Sequence, residues 1–191
     1  MIFIHSSSEV HESALIGENT KVWNFSQIRE NTEIGKNCII GKDVYIDENV
    51  KIGDSCKIQN GVSIFNGVSL ENEVFIGPNA CFTNDMFPRA TSQNWKIVET
   101  RICHGASIGA NSTIICGITV ANYSMIGAGT VLTKNTIPYG LYIGNPGRLI
   151  GLVCKAGHKI ASFTNNSDIQ ESYYCETCKS KIHFFGKQDE I

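Results

Sequence analysis

From Ile4 onward every sixth residue is large and apolar: Ile4, Val10, Ile16, Val22, Ile28, Ile34, Ile40, Ile46, Ile52, Ile58, Ile64, Leu70, Ile76 and Phe82. Four places after each stands a compact residue, among them Ser8, Ala14, Thr20, Ser26, Thr32, Cys38, Val44, Val50, Cys56, Val62, Val68, Val74 and Ala80. Between the two slots lie Gly, Asn and Asp, which tolerate tight turns and left-handed backbone. This period predicts a β-solenoid, one short strand and one corner per hexad, with the large residue filling the interior. An amphipathic helix fails on spacing, and each interior Gly would cost it roughly 1 kcal/mol. Three hexads per turn give about seven coils about 4.8 Å apart, a column on the order of 30 Å tall. With eighteen residues per coil, Cys38 lies under Cys56, and Ile46 under Ile64 and Phe82.

The beat breaks once. It resumes at Ile102 and runs through Ile108, Ile114, Val120, Ile126 and Leu132, with compact partners Ala106, Ser112, Ile118, Ser124 and Thr130. The interval from Phe82 to Ile102 is twenty residues instead of six, so fourteen have been inserted, and removing them restores the register. The stretch 83–101, TNDMFPRATSQNWKIVETR, is therefore a loop carried by one scaffold. Such interruptions are where chemistry tends to sit. Its string Asn84-Asp85-Met86-Phe87-Pro88-Arg89 places a neutral donor-acceptor beside an anion, a pair suited to holding an amine and orienting its lone pair. The same residues also favour a plain turn.

Composition narrows the classes. A chain of 191 residues with net charge −2 and no basic stripe is not built for nucleic acid. No apolar run approaches the roughly 18 residues that span a bilayer, and MIFIH lacks the regions of a signal peptide, so the expected location is cytoplasmic and away from membranes. The eight cysteines show no disulfide framework; Cys38 and Cys56 fall on inward positions, and Cys81, Cys103 and Cys116 are scattered, as expected of reduced thiols. The expected division is a solenoid over 1–137, a connector over 138–153 and a small Cys-containing appendage over 154–191. In the appendage Cys154-x3-His158 and Cys175-x2-Cys178 have the residue types of a zinc knuckle, although a zinc ribbon would prefer Cys at Ala156 or Gly157. The alternative is a hairpin formed by YYCETCKSKIHFF with reduced thiols and an end frayed from Gly186. No metal is expected in the catalytic site.

The repeat resembles the hexapeptide-repeat acyltransferases, which implies a left-handed parallel β-helix of triangular section, a homotrimer and active sites between neighbouring prisms. Five aromatics outside the inward slots, Trp23, Phe25, Tyr45, Phe65 and Phe75, fit subunit contact. More narrowly, FTNDMFPR, NWK, GASIGANSTIICGITV, IGAGTVLTK and YIGNPGR resemble the N-acetyltransferases of nucleotide-linked amino sugars. That likeness implies acetyl-CoA as donor and a dTDP- or UDP-linked 3-amino sugar as acceptor, in surface polysaccharide synthesis. Asn84 and Asp85 then lie near the amine as the catalytic pair, with Asp85 or the departing thiolate taking the proton. An N–H near Gly105 or Ala106 would stabilise the oxyanion.

By the same likeness, pantetheine runs past Gly109, Ala110, Ala128 and Gly129, and Lys134 and Arg148 take the phosphates. Asn24, Gln27, Arg29, Phe65, Asn66 and Arg89 are candidates for the nucleotide sugar. Asp85 and Phe65-Asn66 depart from the pattern for UDP-linked 3-aminoglucuronates, which favours a dTDP-linked 3-amino-3,6-dideoxyhexose. The rival on the same fold is a sugar O-acetyltransferase, for which His104 would be the base; His104 is expected to point outward near the loop, and His5 and His11 lie at the far end of the column. A carbonic anhydrase needs three convergent histidines that this chain lacks. A purely structural solenoid would leave the insertion unexplained, and other acyl donors stay open.

Overall fold

The computed structural model describes residues 1–93, 95–163 and 170–183, and among these there is no helix. Parallel two- and three-residue strands stack into three faces of a β-solenoid. The first face holds Phe3–Ile4, Lys21–Val22, Ile39–Ile40, Lys57–Ile58, Phe75–Ile76, Ser107–Ile108, Met125–Ile126 and Gly140–Ile143. The second runs from Glu9–Val10 to Val131–Leu132, and the third from Leu15–Ile16 to Thr119–Val120. Strands pair at the expected eighteen-residue offset, as in Ile46 with Ile64. The column has about eight turns, one more than the hexads predict, because Gly140–Ile143 extends the first face without the repeat.

The large slots form the core. Ile28, Ile40, Ile46, Ile58, Ile64, Ile76, Phe82, Ile102, Ile108, Ile114, Ile126 and Leu132 are essentially inaccessible. The first coil departs from this: Ile4 is exposed, and Val10 and Ile16 are half-buried, because no coil stacks beneath them.

The compact slot has its own bonding rule. Thr20 Oγ1 donates to Gly35 O (2.8 Å), Ser26 to Gly41 O (2.7 Å), Thr32 to Asp47 O (2.9 Å) and Ser112 to Gly127 O (3.0 Å). The thiols of Cys38 and Cys56 occupy the same place, against Gly53 O (3.1 Å) and Glu71 O (3.0 Å). Each side chain thus satisfies a carbonyl fifteen residues on, in the next coil, which is why Ser, Thr and Cys interchange here with apolar residues. Thr130 Oγ1, where the regular coils end, is buried with no hydrogen-bond partner among the described residues.

Corners turn through left-handed backbone at Asn19, Asn31, Asn37, Asp43, Asn49, Asn79 and Asn111, as their composition predicts, and also at Phe25, Ser55, Glu73 and Tyr123. Beyond the column Arg148–Val153 and Lys159–Ser162 add antiparallel strands to the first face, and Ser172–Cys175 pairs with Ser180–His183 as a separate hairpin, as the YYCETCKSKIH stretch predicts. No disulfide forms; all eight cysteines are free. The expected fraying from Gly186 lies outside the described residues.

Candidate active site

The insertion leaves the second face after Cys81–Phe82 and re-enters the third at Thr100–Ile102, so it springs from the edge between those faces. Both ends are tied to the column. Thr83 N–H donates to Ile114 O (3.1 Å), and Thr83 Oγ1 accepts from Cys116 N–H (2.9 Å). At the return, Thr100 N–H donates to Gly67 O (2.8 Å) and Gly117 N–H to Glu99 O (3.1 Å). Gly67 and Gly117 have φ of +95° and +86°, and a Cβ on Gly67 would come within 2.3 Å of Ile97 Cγ2. The loop lies down on the column because its neighbours have no side chain there.

Asn84 is fixed from both sides: its carbonyl accepts from Val98 N–H (3.0 Å), and its Nδ2 donates to Asn66 O (3.2 Å). Asp85 Oδ1 accepts from Phe87 N–H (2.8 Å), so this carboxylate does shape a turn. Arg89 is exposed further out, its guanidinium bonded to Pro88 O (2.8 Å).

Below the loop a polar row climbs the same edge. Arg29 pairs with Glu30 (2.7 Å) and reaches Tyr45 Oη (3.4 Å); Tyr45 donates to Asp47 Oδ1 (2.9 Å); Asp47 Oδ2 accepts from Asn66 N–H (3.2 Å), and Asn66 O holds Asn84. Burial, followed by the hydrogen bond to Asp47, raises the Tyr45 pKa and keeps the phenol a neutral donor. Phe65 packs against Tyr45 at 5.9 Å between ring centroids. The structure thus brings Arg29, Phe65, Asn66 and Asn84 onto one edge. Asp47 was not foreseen as part of this row, although positions 29, 47 and 65 are each one coil apart, the spacing that places them together. Gln27 lies on the second face beside the row, bonded to Glu9 (3.1 Å), whereas Asn24 stands on the edge between the first and second faces, against His5 (3.1 Å). A groove of about 430 Å³ flanks the loop's return arm, lined by Asn66, Ser69, Glu99, Arg101 and Thr119 among others.

The residues expected to meet coenzyme A, Lys134 apart, fall on other edges. Gly109, Ala110, Ala128 and Gly129 occupy successive coils of the edge between the first and second faces. The GNPGR turn caps them: Val131 N–H donates to Gly144 O (3.0 Å), Gly147 N–H donates to Val131 O (2.8 Å), and the Asn145–Pro146 bond is cis. Arg148 is exposed at the end of this turn. A Cβ on Gly129 would meet nothing within 4 Å, so this stretch is open. Lys134 is exposed past Val131–Leu132 on the loop's edge, away from Arg148.

Gly105 and Ala106 occupy the third edge, and here the expectation of a free oxyanion donor is corrected. Gly105 N–H donates to Asn72 O (3.0 Å), Ala106 N–H to Cys103 O (3.2 Å) and His104 N–H to Glu71 Oε2 (2.9 Å), so the column spends all three on its own coil and the one below. His104 sits on this edge too, not beside its own chain's loop, with Nε2 against Tyr123 Oη (2.9 Å) and near Glu73 (3.7 Å). Burial pushes the Glu71 carboxyl up, but the His104 amide and the Arg101 guanidinium outweigh it and hold the pKa below the usual carboxylate range.

Fold and repeat together define a hexapeptide-repeat parallel β-helix. Residues 13–48 and 31–66 match the family described as bacterial transferase hexapeptide (six repeats), and residues 100–134 match the hexapeptide repeat of succinyl-transferase. Over 72 residues the chain is 42% identical to dTDP-3-amino-3,6-dideoxy-alpha-D-galactopyranose 3-N-acetyltransferase of Aneurinibacillus thermoaerophilus, a segment spanning 38% of each chain. Among solved structures, the acetyltransferase domain of PglB from Neisseria gonorrhoeae, in complex with acetyl coenzyme A, matches with a TM-score of 0.53 and 20% identity, covering 78% of this chain and 57% of that one. A mutant of GDP-perosamine N-acetyl transferase from Caulobacter crescentus, in complex with CoA and GDP-perosamine, gives 0.53 and 22%, covering 78% and 56%. These likenesses establish the fold. No helix among the described residues is long and apolar enough to cross a membrane.

Proposed function

We propose that this chain is an acetyl-CoA-dependent N-acetyltransferase whose acceptor is the 3-amino group of a nucleotide-linked sugar, most simply a dTDP-linked 3-amino-3,6-dideoxyhexose used for surface glycans. The single observation that carries this is the insertion: one excursion, tied down at both ends, presents Asn84 and Asp85 at the head of a polar row. The 42% identity to a 3-N-acetyltransferase of such a sugar supports the choice of acceptor.

In this reading a neutral amine attacks the thioester carbonyl, the tetrahedral oxyanion collapses, and coenzyme A leaves as the thiolate. Asp85 orients the amine and accepts its proton, and Asn84, locked by Asn66 and Val98, fixes where the amine stands. The sugar and its nucleotide lie along Asn66, Phe65 and Arg29. The pantetheine arm follows Gly109, Ala110, Ala128 and Gly129, with Arg148 at its phosphates.

The loop and the coenzyme edge are different corners of one prism, so a shared site takes the loop from one copy and the edge from another. Self-association into a closed trimer meets this need. Exposed apolar residues on the loop, Phe87 (82%) and Trp95 (53%), support it, as do Phe25 (61%) and Phe75 (37%) on the column.

Thiol release from acetyl-CoA, measured with dTDP- and UDP-linked amino sugars, tests the assignment. Asp85→Asn is expected to lower kcat/KM for the amine by about 10²–10⁴-fold, the usual contribution of a positioned base. His104→Gln is expected to change it little. The reverse ranking, with hydroxyl sugars as the better acceptors, would replace N-transfer by O-transfer.

A further inference from the structure

Beyond the column two tight turns face each other. The first joins Arg148–Val153 to Lys159–Ser162 and carries Cys154 and His158. It is closed by Cys154 N–H to His158 O (2.8 Å) and Gly157 N–H to Cys154 O (2.8 Å). The second joins Ser172–Cys175 to Ser180–His183 and carries Cys175 and Cys178. The ligand atoms of these four side chains all lie within 4.8 Å of one another.

The separations are those of a coordination tetrahedron. Zinc–sulfur bonds of about 2.3 Å and a zinc–nitrogen bond of about 2.0–2.1 Å put sulfurs about 3.8 Å apart and sulfur about 3.6 Å from nitrogen. Cys154 Sγ and Cys178 Sγ are 3.7 Å apart, and His158 Nδ1 is 3.4, 3.9 and 3.3 Å from Cys154, Cys175 and Cys178. Hydrogen bonding alone does not account for this cluster. An imidazole nitrogen has one lone pair and satisfies one thiol proton, yet three sulfurs converge on it. Two backbone amides also aim at sulfur, His158 N–H at Cys154 (3.3 Å) and Cys178 N–H at Cys175 (3.4 Å), as outer-shell donors do around metal ligands.

The first half-site explains its departure from the usual ribbon. Gly157 has φ +83°, backbone that an L side chain enters only with strain, so glycine stands there and the ligand comes one residue later from His158.

We propose that Cys154, His158, Cys175 and Cys178 bind one Zn²⁺ in a closed Cys₃His site that fastens the hairpin 172–183 to the end of the column. Four protein ligands leave no open position, so the site is structural. Binding brings one Zn²⁺ in and releases the three thiol protons. The hairpin needs such a staple, because a two-stranded hairpin is marginal by itself and its buried core among the described residues is Cys154, Cys175 and Ile182, packed against Tyr139 and Ile160.

The test is elemental analysis of the full chain, purified reduced and without chelators, with Cys175→Ser/Cys178→Ser and His158→Cys alongside. About one zinc per chain is expected in the parent, at least roughly tenfold less in the double serine variant, and retention in His158→Cys, whose four thiolates still suit zinc. Cobalt exchange gives a second readout: tetrahedral d–d bands with a thiolate charge-transfer band in the parent, absent from the double serine variant. Metal-free parent protein with reduced thiols, iron or a disulfide in place of zinc, or stoichiometric zinc in the double serine variant would each overturn the proposal.

Discussion

At single positions the column discriminates sharply between side chains that face in and those that turn a corner. Ser55 is exposed in left-handed backbone at φ +59°, where an L side chain costs about 1–2 kcal/mol and glycine nothing. Part of that gain is returned as unfolded-chain entropy. Ser55→Gly is therefore expected to stabilise by about 0.5–1 kcal/mol, a rise in Tm of about 2 °C measured by calorimetry, and a lower Tm would refute it. Much of this scale is legible in the sequence: the inward slots, the reduced thiols at Cys38 and Cys56, and Gly, Asn or Asp at most corners follow from the period. What is not legible is where each polar hydrogen goes. Nothing in ICHGASIG tells that the amides of His104, Gly105 and Ala106 are already donated to Glu71, Asn72 and Cys103.

Among elements, the loop depends on two glycines outside it. A valine at Gly67 cannot keep φ +95° and would drive its Cβ into Ile97, lifting the return arm from the column. Gly67→Val is expected to lower kcat/KM for the amine on the order of 10²-fold, as a displacement of about 1 Å can. Gly35→Val provides the comparison, since a Cβ there would meet the Gly53 backbone at 2.6 Å and impose strain on the third edge, away from both the loop and the coenzyme edge. It should cost stability and spare turnover; equal loss of turnover in both would remove the loop from the explanation. The interruption at 83–101 announces such a loop in sequence. Its partners do not, because Arg29, Asp47 and Phe65 are adjacent only once the eighteen-residue pitch is applied to polar corners as well as to isoleucines.

For the whole molecule, the separation of the loop's edge from the open edge at Gly129 predicts a shared site. Light scattering should give three times the chain's 21.0 kDa. Co-assembly of Asp85→Asn with Gly129→Trp should restore part of the activity each lacks, because a mixed trimer rebuilds some intact sites. A monomeric mass, or no recovery on mixing, would refute the arrangement. The prism is readable from the beat alone. The final turn and the tail are not, since Gly140–Ile143 and the two facing turns follow no hexad and meet only through tertiary packing.

The fourteen inserted residues leave the register untouched: Thr100–Ile102 pairs with Val68–Leu70 below and Thr119–Val120 above as any coil would. The scaffold is therefore indifferent to the length and content of what it carries there. In the proposed transferase that segment is therefore exchangeable as a cassette together with the corners it rests on, Gly67 and Gly117, while the remaining coils keep their own sequence and their own stability.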